Sequence, residues 1–280
     1  MKLRKKALAA AAGVGLLTML LPLTASAADE APNAVALTGG GTRLGRFNVD
    51  RPAAMTAIGG AITGLTGDNK LVGIDRRVQN GRLYGVGNSG GIYLLSGSTA
   101  SKVGQLSVPL VGTSFGVDFN PAANALRIVS NQAQNLRQPF GAGNNPVGGT
   151  VVDGLLNQNG VPAGNIAGAA YTNNDTSDRT GTTLFDLDTE LDQVVLQSPA
   201  NSGNLVATGK LGTGAGADVG FDIYAEVSSS SDAAIANFGF AAIPTGTANR
   251  FHFVDLLTGH VEYIGRFPTR VTDIAIDLDR

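Results

Sequence analysis

The chain has no cysteine, no tryptophan and only two histidines, and just 15% of its 280 residues are charged. Without cysteine there is no disulfide framework, no thiolate chemistry and no lipid attached at a cleavage-site cysteine. His252 and His260, with no thiolate to join them, make a poor zinc site. Five tyrosines and no tryptophan leave few aromatic faces for stacking on a sugar. Beyond the N-terminus no apolar run is long enough to cross a membrane. The 3.6-residue apolar spacing of an amphipathic helix is also missing there, while short alternating runs such as Arg127-Ile128-Val129-Ser130 abound.

What is present begins with an address. Lys2, Arg4, Lys5 and Lys6 precede an apolar run from Ala7 to about Leu23, and Ala25-Ser26-Ala27 supplies small residues. This is the layout of a secretory signal over residues 1–27, with cleavage expected between Ala27 and Ala28. Residues 28–280 then form one expected soluble, exported, monomeric domain without stable membrane insertion. With the four signal cations removed, 16 Lys and Arg stand against 22 Asp and Glu, a net charge of −6. Nucleic acid, which calls for a basic face, is a poor partner for such a surface.

Among the 39 glycines, a few mark a repeat. A Gly-apolar-Asp strand opens "GIDRRVQNGRLYGV" at Gly73, "GVDFNPAANALRIVS" at Gly116 and "GFDIYAEVSSSSDAAIANF" at Gly220, with a weaker copy, "GAAYTNNDTSDRTGTTLFDLD", at Gly168. "TDIAIDLDR" at Thr272 ends the series; successive starts lie 43, 52, 52 and 52 residues apart. Between the copies sit strand-turn-strand segments: "RFNVDRPAAMTAIGGAI", "GIYLLSGSTASKVGQL", "TLFDLDTELDQVVLQ" and "RFHFVDLLTGHVEYIG". Residues 135–155 fit this slot poorly. Four strands per unit of about 50 residues is the pattern of a β-propeller blade. The spacing predicts an all-β propeller of about five four-stranded blades. "VTDIAID" is taken as a third strand of the last unit, and the spare "AVALTGG" (34–40) as the N-terminal strand that closes the ring. Six blades and a β-sandwich are the alternatives.

Several residues invite chemistry. Gly87-Asn88-Ser89-Gly90-Gly91 matches Gly-x-Ser-x-Gly, but a hydrolase elbow runs from strand into helix, and here the strand residues Ile92-Tyr93-Leu94-Leu95 follow. A hairpin turn is the better reading. Calcium is the plausible metal, since hard cations take Asp and Asn oxygens. Its candidates are the recurring Asp75, Asp118 and Asp222, together with Asp186 and Asp188 in "FDLDTELD"; "TNNDTSD" (172–178) is a weaker cluster. The recurring acids, placed on innermost strands, converge on the axis, with Arg76, Arg77 and Arg127 available to neutralise them. The competing role is architectural, each Asp bonding the backbone of its own blade.

The stretches "AVALTGGGTRLGRFNVDRP", "LVGIDRR", "GRLYGV", "GVDFNPAANALRIVSNQAQNLR", "AAYTNN" and "TTLFDLDTELDQVVLQSPANSGNL" resemble the secreted bacterial family called domain of unknown function 4394, over roughly residues 33–278. The resemblance implies a propeller-like all-β domain and brings no catalytic residues with it. Three function classes follow: a binding or scaffold module for an extracellular protein or glycan, a calcium-dependent esterase- or lactonase-like hydrolase, and a structural matrix protein.

Overall fold

The computed structural model describes residues 31–245 and 248–279; the expected signal and its Ala27–Ala28 cleavage site lie outside them. Strands β1 (Asn33–Thr38), β2 (Arg43–Asn48) and β3 (Thr56–Ala61) begin the described chain. The first blade follows, with β4 (Leu71–Arg77), β5 (Arg82–Gly87), β6 (Gly91–Ser96) and β7 (Thr99–Gln105). The second holds β8 (Phe115–Asn120), β9 (Ala125–Ser130), β10 (Asn135–Pro139) and the short β11 (Val151–Val152). A small hairpin, β12 (Asn157–Gln158) and β13 (Val161–Pro162), precedes the third: β14 (Ile166–Tyr171), β15 (Leu184–Asp188), β16 (Gln193–Gln197) and β17 (Leu205–Lys210). The fourth has β18 (Gly220–Val227), β19 (Ala234–Thr245), β20 (Ala248–Val254) and β21 (Val261–Arg266), and β22 (Val271–Ile276) ends the series.

Each blade is an antiparallel four-stranded meander, and the fifth sheet has the order β22-β1-β2-β3. The innermost strands β4, β8, β14, β18 and β22 stand side by side around one axis, so the fold is a five-bladed β-propeller. The N-terminus closes the ring, but with three strands rather than one. The segment "VTDIAID" is accordingly the innermost strand of the closing blade, not a third strand as expected. One repeat segment also takes a different slot. "TLFDLDTELDQVVLQ" forms the second and third strands of its blade (β15–β16), whereas the other three form third and fourth strands. Residues 135–155 fitted poorly because β10 and the two-residue β11 are separated by a long loop, tied back where Phe140 bridges Pro146.

A strand sends alternate side chains to opposite faces, and in a ring both faces of a blade are covered. Hence β14 is buried at all six residues. Five apolar clusters result, one per seam between blades. In β1, Ala34 and Ala36 join Phe240 and Phe251 of the fourth blade, while Val35 and Leu37 join Leu71 and Ile74 of the first. Phe47, Phe251 and Phe267 meet edge to face at centroid distances of 4.9–5.3 Å, a packing worth about 0.5–1.5 kcal/mol per pair beyond area burial.

Candidate functional site

The Gly-x-Asp repeat lies where the innermost strands touch. A Cβ on Gly73 would come within 2.3 Å of Val117 Cγ2, and one on Gly116 within 2.5 Å of the Ala169 backbone nitrogen. Glycine is therefore what lets neighbouring innermost strands pack backbone to backbone. Two residues on, the aspartate reaches across the same seam. Asp75 Oδ2 accepts the amide of Phe119 at 2.7 Å, and Asp118 Oδ2 accepts that of Tyr171 at 3.0 Å. Asp222 accepts Ile276 N–H from the closing blade and Ile223 N–H from its own strand, both at 2.6 Å. These amides lie on the axial edge of the innermost strands, where no further strand pairs with them, and an unpaired buried donor is costly. The bonds differ from the expectation that each Asp serves its own blade: they join successive blades.

A fourth acid belongs to this ring. Asp273 accepts Ile74 N–H of the first blade at 2.8 Å and Ile274 N–H at 2.9 Å. Sequence reasoning passed it over because Val271 replaces the glycine that marks the other copies. In the third blade the corresponding residue is Ala170, so one seam lacks its carboxylate. Among the described residues, Asp75, Asp118 and Asp222 are the acids that cluster closely enough to share an ion, with carboxylate oxygens within 4.8 Å of one another. Burial pushes the Asp75 and Asp118 carboxyls well above the usual range, and the neighbouring acids push them further. Asp273 is raised by burial and by Asp222. Burial raises Asp222 to about 7, against the pull of its two amide donors and of Arg76.

Of the arginines expected to neutralise the ring, Arg76 lies near enough to act on Asp222 and pairs with Asp277. Arg77 instead donates to Asn124 and to the Gly141 and Gly143 carbonyls. Arg127 turns into the seam between the second and third blades, bonding Asp153, Asn135, Asn201 and the Tyr171 hydroxyl.

The other metal candidates do not converge. Asp188 Oδ1 accepts the amides of Glu190 and Leu191 and so shapes its own turn. Asp186 is fully buried and neither of its oxygens has a partner among the described residues; burial raises its carboxyl, with Arg127 pulling the other way. Asp175 of the 172–178 cluster is occupied by Ser177, Thr180 and Ala234.

Ser89 occupies an exposed hairpin turn between β5 and β6. Its amide donates to Asp68 and its carbonyl accepts from Gln105. Both histidines lie in the fourth blade, with the closing blade between them and Ser89. His252 is buried against Tyr263, and burial lowers its pKa.

Sequence reasoning missed the axial mouth. Where the innermost strands begin, a cavity of about 90 Å³ is lined from all five blades, including Lys70, Thr113, Ser114, Ala167, Asp218 and Thr272. No repeat motif marks Lys70, Thr113, Ser114 or Asp218, because they belong to the connectors that lead from one blade into the next. Two asparagines shape them. Asn88 Oδ1 accepts the amides of Asn69 and Lys70 at 3.0 and 3.2 Å. Asn131 Oδ1 accepts those of Thr113 and Ser114 at 2.9 and 3.3 Å.

The family described as Domain of unknown function (DUF4394) matches residues 43–275. The chain belongs to this family. No curated protein matches the sequence. Among solved structures, the DUF4394 chain is similar to a protein from Lactobacillus plantarum at 11% identity and a TM-score of 0.45, covering 88% of this chain and 99% of that one. It is also similar to a protein of unknown function from Bacteroides thetaiotaomicron, at 14% identity and a TM-score of 0.50, covering 90% of this chain and 66% of that one. An auxiliary nutrient binding protein from the same organism is similar at 14% identity and a TM-score of 0.40, covering 83% of this chain and 58% of that one. At 14% identity and a TM-score of 0.50, the likeness to the Bacteroides thetaiotaomicron protein of unknown function is one of fold alone.

Proposed function

We propose that the chain is an exported, non-catalytic binding propeller that takes an extracellular ligand at its axial mouth. The observation that carries this reading is the cavity built by all five blades and lined by Lys70, Thr113, Ser114, Asp218 and Thr272. Concave sites with a few convergent polar groups are where small ligands bind. The acids nearest the axis support binding over hydrolysis, since one oxygen of each is engaged by a backbone amide of the next blade. The test is amide chemical-shift mapping with mixtures of sugars, amino acids and organic acids. Saturable shifts at Lys70, Thr113, Ala167 and Thr272 support the reading; shifts confined to the outer strands of the blades sink it.

A second reading rests on the close approach of Asp75, Asp118 and Asp222. Three carboxylates at that separation form a set that a hard cation such as calcium prefers. Its measurement is the melting midpoint with calcium and with chelator. A saturable rise with calcium supports a site on the folded state; identical midpoints leave the acids as ties between blades.

A further inference from the structure

Resting on the reading of the mouth as the binding site, we infer that it grips an oxyanion group, the carboxylate or phosphate of a small ligand, with Lys70 as the charged contact. The charge arrangement carries this. Asp218, the one carboxylate in the lining, is paired with Arg270 at 2.8 Å. Lys70 makes no ion pair among the described residues, so it supplies the uncompensated charge of the mouth.

The neutral groups point the same way. Thr113 Oγ1 already accepts from the Asn131 side-chain amide at 2.9 Å, which leaves its hydroxyl hydrogen to donate. Ser114, also a lining residue, carries a second hydroxyl donor. Ammonium and hydroxyl donors around one small space match an oxyanion, whose oxygens only accept. Size agrees as well. About 90 Å³ is room for several waters, or for one carboxylate or phosphate group, with the rest of the ligand outside.

The site is also preformed. Asn88 holds the backbone that carries Lys70, and Asn131 holds the backbone that carries Thr113 and Ser114. Asn88 and Asn131 stand at like places, each just after the second strand of its blade. In Gly87-Asn88-Ser89, the asparagine rather than the serine is thus tied to the mouth. Asn88 is a positioning residue, acting through Lys70.

The experiment titrates the purified protein with inorganic phosphate, with acetate and with glucose, at constant ionic strength, following amide resonances. The expected result is saturable shifts at Lys70, Thr113 and Ser114 with at least one anion; which anion binds separates the phosphate source from the carboxylate source. Lys70→Gln weakens the anion about tenfold, the scale of one charge-assisted hydrogen bond, with an unchanged melting midpoint because Lys70 is exposed. Asn88→Ala also weakens it, whereas Ser89→Ala does not. If glucose moves these resonances and the anions do not, the oxyanion assignment is overturned while the mouth remains a binding site. Anion shifts that never saturate, or that survive Lys70→Gln at full strength, overturn it too. Binding of any probe mapped only to the outer strands defeats both this inference and the reading beneath it.

Discussion

Asp118 of the second blade accepts the backbone amide of Tyr171 in the third, at 3.0 Å, with both groups buried. Asp75 makes the same bond to Phe119 one seam earlier. Removing an acceptor here leaves a buried N–H with nothing in its place. Asp118→Ala is therefore expected to destabilise the fold by about 1–3 kcal/mol. Asp118→Asn keeps a carbonyl acceptor and relieves the like-charge crowding, so it costs less. Urea unfolding of the two variants checks this; equal losses would show that the charge, not the acceptor, matters.

The ring acids also set a pH dependence. Their folded pKa values lie above the unfolded value near 3.8, with Asp222 at about 7. The folded state then binds more protons than the unfolded chain between those limits, so stability falls as pH rises. For Asp222 the loss begins near pH 4 and is complete once pH passes about 7. Melting midpoints are expected to be higher at pH 5 than at pH 8 at constant ionic strength, with a shallower slope in Asp222→Asn. A midpoint that climbs over this range in the wild type and in the variant alike contradicts the assignment.

Close packing at the axis predicts a sharp contrast between glycines. Gly116→Ala sets a methyl 2.5 Å from the backbone of Ala169, whereas a methyl at Gly60 meets nothing within 4 Å. The first is expected to cost about 1–3 kcal/mol or more through forced backbone shifts. The second stays within about 0.5 kcal/mol of wild type. Chemical denaturation of the pair measures the difference.

Arg127 is 1% exposed and pairs with Asp153 at 2.7 Å. Arg127→Met strips a buried carboxylate of one of its two arginines and leaves Asn135 and Asn201 without their donor. Breaking a buried pair from one side typically costs about 3–5 kcal/mol. A loss below 1 kcal/mol in equilibrium unfolding would falsify the view that this network holds the seam.

Ser89→Ala should leave stability, and any hydrolysis of a p-nitrophenyl ester, unchanged, because the turn is held through its backbone and by Asp68. Tyr93→Phe, by contrast, removes the hydroxyl that donates to Asp68 at 2.7 Å and lowers the melting midpoint. An esterase activity lost in Ser89→Ala alone would reverse this view of the turn.

The propeller was legible because its repeat carries physics in its letters. Glycine permits close approach, aspartate satisfies an axial amide, and a spacing near 52 residues returns the chain to the axis. Legibility ended where those letters change. Val271 hid Asp273, and Ala170 left one seam without its acid. The 183–197 hairpin imitated a later slot because Asp188 and Asp255 cap their turns alike, though at different places in their blades. The direction of the aspartate bonds was beyond reach, since one strand does not disclose which neighbour it will face. Lys70, Thr113 and Asp218 carried no signal because connectors share no repeat.

Ring closure by three strands from one end and one from the other has a consequence for how the molecule is made. The Thr272 hydroxyl bonds Leu37 O across 235 positions of chain, so the sheet begun by β1, β2 and β3 waits for the much later β22 to be synthesised. Until β22 arrives, β1 has one edge unpaired, and the blade between the fourth and the first lacks its innermost strand. Completion is then a late, non-local event, of the kind that slows folding.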